Sequence, residues 1–151
     1  MMTRISNDHD LRDALSKLTA IQQRVVGADF TKSVIHLCRD ERVRRAMETA
    51  QSPDAGDAEL EVALRVAKGY AAKTYTACGK DADWLAQADH FVAAAVAAAL
   101  TPVGQASART GPAWKAAVQA RMAKNCELME EGEGEMETEA ERQYRIAGEH
   151  L

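Results

Sequence analysis

His36 and Asp40 stand one turn apart if their segment is an α-helix. At that spacing an imidazole and a carboxylate can reach one metal ion, or the carboxylate can orient the ring. The two line up with Val43 and Met47, so both can face inward. The competing reading is a hydrogen-bonded pair on a helix surface.

A second constellation lies further along. Trp114, Val118, Arg121, Asn125 and Met129 fall on one line of a helix, so two polar side chains interrupt a stripe of large residues. An inward Arg121 needs a carboxylate or an anion, because an unpaired buried charge is costly. With Asn125 beside it, Arg121 then reads as an anion or ligand contact inside a bundle. Otherwise the core face is the alanine side, Ala113, Ala116, Ala117 and Ala120, and Arg121 sits at a rim.

Arg39–Arg45, RDERVRR, holds four arginines and two acids. Phosphate binding would need those arginines on one side. Helical spacing spreads them instead, and Asp40/Arg44 and Glu41/Arg45 have the i,i+4 orientation of ion pairs, so a solvated face is the plainer reading. Glu127–Glu141 contains eight Glu and no base, which leaves the rest of the chain at +4 against a total of −4. It lacks the spacing of a calcium loop and reads as a solvated, acidic linker. The stretch Thr101–Gly111 reads as the longest loop, with Gln105, Ser107, Arg109 and Thr110 just ahead of a helix start.

Several chemistries are excluded by motif. The chain has no Walker loop, no H-E-x-x-H, no G-x-G-x-x-G and no G-x-S-x-G. No Glu stands three residues before any of His9, His36, His90 and His150, which disfavours a ferritin-like di-iron bundle. Cys38, Cys78 and Cys126 are odd in number and widely spaced, so they form neither a disulfide framework nor a zinc knuckle. They read as reduced thiols in a cytoplasmic protein. The opening residues carry no apolar run that would make a secretory signal. The longest apolar run, Phe91–Leu100, is ten residues, well short of a membrane span.

The elements that must position these residues are helical throughout. Of 151 residues 30 are Ala and seven aromatic, and no run alternates over strand length. Apolar spacing predicts helices over about 10–26, 30–51, 57–78, 83–100 and 112–129, with an acidic break at 130–135 and a short helix over 136–151. Residues 1–9 read as a flexible N-terminus. Gly27-Ala28-Asp29 interrupts the first stripe, and the second helix either changes its buried face or breaks near Arg39–Glu41.

Eight of the nine glycines fall where a helix would end or close to the C-terminus, and Gly69 alone sits mid-pattern. Around it, Leu60, Leu64, Ala67 and Ala71 form a stripe that Val62, Val66 and Tyr70 widen past half the circumference. That helix is expected to be among the most buried. Tyr70, Tyr75, Trp84 and Trp114 each fit a helical stripe as packing residues, and His90 falls on a wet side.

The fold class is therefore all-α, a single-domain antiparallel up-and-down bundle of four main helices plus one or two shorter ones. The wide apolar arcs and the alanine side of the fifth segment exceed what one small bundle needs, which predicts a homodimer burying an Ala-lined face. The expected function is a non-catalytic module for protein interaction or small-ligand binding. The alternatives are a metal- or cofactor-binding bundle or small enzyme using His36, Asp40 and Arg121, and, more weakly, nucleic-acid binding through Arg39–Arg45. No metal set, cofactor or catalytic residue is assigned.

Overall fold

The computed structural model describes residues 5–75, 83–102, 111–131 and 138–150. Seven α-helices occur among them: α1 (Asp8–Ser16), α2 (Ala20–Lys32), α3 (Glu41–Gln51), α4 (Asp57–Tyr75), α5 (Trp84–Leu100), α6 (Pro112–Glu131) and α7 (Glu139–Glu149). A 3-10 turn, Ile35–Leu37, joins α2 to α3. There is no strand among the described residues, and the helices pack against one another as an all-α bundle.

Helix starts follow side-chain chemistry. Asn7 accepts from the Asp10 amide, Asp83 from the Ala86 amide, and Thr138 from the Glu141 amide. Each satisfies a backbone donor that the first turn leaves open. Thr19 and Gln22 form a reciprocal capping box. That box is why the expected helix over 10–26 is two helices: a new N-terminus is built at Thr19, after α1 ends at Ser16. α1 begins at Asp8, and Ile5 is buried with Leu11, Leu15 and Phe30; residues 1–4 of the expected N-terminal segment lie outside the described residues.

The helix expected over 30–51 breaks, as one of its two readings allowed. Val34 leaves helical geometry, and Asp40 caps α3 by accepting from the Arg42 amide. In contrast, α2 runs unbroken through Gly27-Ala28-Asp29. Gly27 is there for packing. A Cβ on it would stand 3.1 Å from Ala99 Cβ, 3.3 Å from Ala116 Cβ and 3.4 Å from Ala113 Cα. Three helices, α2, α5 and α6, meet at that point.

The core is built largely from alanine and valine. Ala113, Ala116, Ala117, Ala120 and Ala123 of α6 are buried, as are Ala88, Val92, Ala95, Val96 and Ala99 of α5. Small side chains let the two backbones approach closely, and α5 and α6 make the most extensive helix–helix contact among the described residues. The alanine side of α6 is thus consumed inside the chain, which removes one of the two supports for a dimer.

α4 is not among the most buried helices. Only Ala63 and Ala67 are buried, while Leu60, Leu64, Val66 and Tyr70 are half-buried and Val62 is 55% exposed. Its apolar arc is wider than the surface α3 and α5 offer to cover it.

The expectations about Cys78 and about residues 103–110 and 132–137 lie outside the described residues. No helix among the described residues is long and apolar enough to cross a membrane.

Candidate functional site

The helical break separates the first sequence candidate. His36 lies in the 3-10 turn and Asp40 caps α3, so they do not share a helix and the one-turn geometry is lost. Asp40 instead holds Arg42, with an Oδ2–Nη2 distance of 3.0 Å. Those hydrogen bonds lower the Asp40 pKa below the usual carboxylate range. The expected Asp40/Arg44 pair does not form, and Arg44 donates to the Cys38 carbonyl at 3.0 Å.

His36 turns to α6, where its Nε2 is 2.5 Å from Glu127 Oε2. The other Glu127 oxygen takes a bond of 2.5 Å from Lys124 Nζ. Burial works against the Glu127 charge, and the bonds from Lys124 and His36 outweigh it, so its pKa lies below the ordinary value. Glu127 and Glu139 are both buried, which corrects the reading of 127–141 as solvated from end to end. Glu139 accepts from Ser33 at 2.6 Å and pairs with Arg142 at 2.9 Å.

Arg121 and Asn125 are not on the core face. Asn125 is exposed, and Arg121 lies at the rim with its side chain 21% exposed. Its guanidinium forks onto both oxygens of Asp8, at 3.0 and 2.7 Å, and donates to Gln143 Oε1 at 2.7 Å. Its plane also sits over the Trp114 ring. Tyr144 donates to Asp8 as well. The bond from Arg121 is the main reason the Asp8 pKa falls below its usual value. An anion at Arg121 would have to displace this carboxylate. The arrangement fastens α1 and α7 onto α6.

A third cluster has no counterpart in the sequence expectations. Asp89, 4% exposed on α5, accepts from the Tyr70 hydroxyl at 2.6 Å and from the Arg39 amide at 2.8 Å. Cys38 is packed beside it, and burial pushes its thiol up to about 11, so it is a poor nucleophile at neutral pH. Burial, then the Asp89 bond, also raises the Tyr70 pKa. The available signal was Asp89 as the single acid of α5, set between the apolar Ala88 and Val92. His90, expected on a wet side, is half-buried and bonded to Thr74 at 2.9 Å.

The sequence candidates His36, Asp40 and Arg121 are therefore each engaged by another side chain, while Gln23 Oε1 and Arg44 Nε are buried without a hydrogen-bond partner among the described residues. No cluster of three His, Cys, Asp or Glu able to hold a metal occurs among the described residues. The four arginines of Arg39–Arg45 do not make one phosphate-facing row, because Arg42 and Arg44 are engaged as above.

The outer side of α3 and α4 is one of the faces that stay open among the described residues. A groove of about 500 Å³ runs between them. Ala46 and Ala63 form its floor, Val62 and Val66 one wall, and Arg42 and Arg45 part of the opposite lip. Ala58, Val62, Val66, Gly69 and Lys73 share an arc of roughly 80° on α4 at 3.6 residues per turn. A Cβ built on Gly69 would meet no heavy atom within 4 Å. The wide arc and the mid-pattern glycine were visible in the sequence. What the letters did not reveal was that both lie on one uncovered face.

No family model matches the chain, nor does any curated protein or solved structure.

Proposed function

We propose that this chain is a non-catalytic helical-bundle module for protein interaction, acting in the cytoplasm as a homo-oligomer, and that its docking face is the outer side of α3 and α4. The carrying observation is the exposed Val62 on the wall of a groove floored by alanine, with the open Gly69 two turns further along the same face. A large aliphatic side chain left in water beside a groove gains about 1.5–3 kcal/mol when a partner covers it. The saturated polar clusters support the same reading. Arg121–Asp8, Glu127–Lys124 and Asp89–Tyr70 each join separate segments or complete a buried pair, which is the work of a scaffold.

A helix laid in a groove is the recognition mode that fits such a face. Methyl-resolved NMR tests it. Adding an amphipathic helical peptide with an aliphatic seam is expected to shift the Val62 and Val66 methyls and leave the core Val92 and Val96 methyls in place. Shifts confined to another surface, or no shift at all, overturn this choice of face.

A further inference from the structure

The buried row of α7 is Glu139, Gln143 and Ala147, one residue per turn. Two of the three are polar, and the third brings only a methyl group. Other short helices are seated differently. α1 buries Leu11 and Leu15, and α3 buries Val43, Ala46, Met47 and Ala50. The hydrophobic contribution scales with the apolar area withdrawn from water, so α7 draws little hold from its buried row. Tyr144 and Ile146 add half-buried flanks.

Hydrogen bonds fasten α7 instead. Gln143 has no solvent exposure, donates to the Ala117 carbonyl at 2.9 Å and accepts from Arg121 at 2.7 Å. Glu139 accepts from Ser33 at one end of the helix, and His150 Nε2 lies 2.7 Å from Asp29 Oδ2 at the other. Tyr144 donates to Asp8 at 2.8 Å. On release each of these bonds is exchanged for one with water, so its net hold is modest. A helix seated in the wrong register would leave Gln143 and the groups that meet it buried and unpaired, which is costly. A polar row of this kind therefore fixes the register firmly and the helix loosely.

We infer that α7 is a releasable strap, undocking while α2 to α6 stay folded, and that its seat on α2 and α6 is a helix-binding groove that α7 fills in cis. A helix that takes its place carries an amide at the Gln143 position, a hydroxyl donor beside it and a small residue one turn on. A helix of eleven residues is marginal on its own, so the released α7 also loses its backbone hydrogen bonds. The seat is separate from the groove between α3 and α4, and either surface can fail without the other.

Native-state hydrogen exchange on the full chain tests the release. The α7 amides are expected to exchange at least about 100-fold faster than those of α5 and α6. In Tyr144→Phe, α7 exchange should quicken by about fivefold more, with α5 and α6 unchanged. Fluorescence anisotropy with a labelled peptide of residues 138–150 tests the seat. The peptide is expected to bind the full chain saturably, and the Tyr144→Phe chain more tightly, because more of its seat is open. The same peptide carrying Gln143→Leu should not bind. If α7 exchanges only together with α5 and α6, the strap is overturned. A peptide that binds neither chain, or binds equally well with Gln143→Leu, overturns the groove.

Discussion

Gly27 and Gly69 are both interior helical glycines, with the same intrinsic penalty against alanine. Their surroundings are opposite. Gly27 lies where α2, α5 and α6 converge, and a Cβ there crowds Ala99 and Ala116. Gly69 faces open space. The first glycine is explained by the fold of one chain. The second is explained by nothing within it among the described residues. An Ala-rich chain closes its interior by bringing backbones together, and α4 presents the same kind of surface outward.

The largest expected effect breaks the inner half of this comparison. Gly27→Leu forces a branched side chain into the three-helix junction, and should destabilise the chain by about 3 kcal/mol in urea unfolding. A loss near zero would mean the junction is looser than its 3.1 Å approach indicates.

A smaller effect concerns the fastening of α1 and α7, next to that core. Asp8→Asn keeps the shape but removes the charge that Arg121 grips. The expected cost at neutral pH is about 1 kcal/mol, since Asp8 is half-exposed and screened by water. The sign with pH follows from the lowered pKa of Asp8 in the fold. The unfolded chain binds the proton more readily, so the stabilisation is complete above the ordinary carboxylate range. It disappears as pH falls through the folded value. Subtracting variant from wild-type stability across an acid titration should therefore give a difference that shrinks toward low pH. A constant difference would refute the ion-pair account.

The helical fold was legible because apolar spacing and capping residues are local signals. Asp83 at the start of α5 and the alanine face of α6 are examples. The breaks were less legible. Thr19-x-x-Gln22 carried the sign of a helix start, but the apolar stripe ran straight across it and suggested continuity. Gly27 carried the sign of a break, yet tertiary contact with Ala99 and Ala116 made it a packing position. Site residues failed for a different reason. The partner of His36 is 91 positions away at Glu127, and that of Arg121 is 113 away at Asp8. Periodicity along one helix says which face a residue occupies, but not which residue of another helix it meets. The uncovered face of α4 could not be recognised from its arc alone, because a wide arc equally describes a helix surrounded on all sides.

The most direct measurement of the central claim is the concentration dependence of thermal unfolding, in wild type and in Gly69→Ala. Association raises the wild-type Tm as protein concentration increases. When dilute, Gly69→Ala should melt higher than wild type, by up to about 1 kcal/mol of added helix stability. On concentration, its Tm should rise less than the wild-type Tm, because the added methyl stands on the proposed docking face. A wild-type Tm independent of concentration, or two parallel curves, would contradict the account.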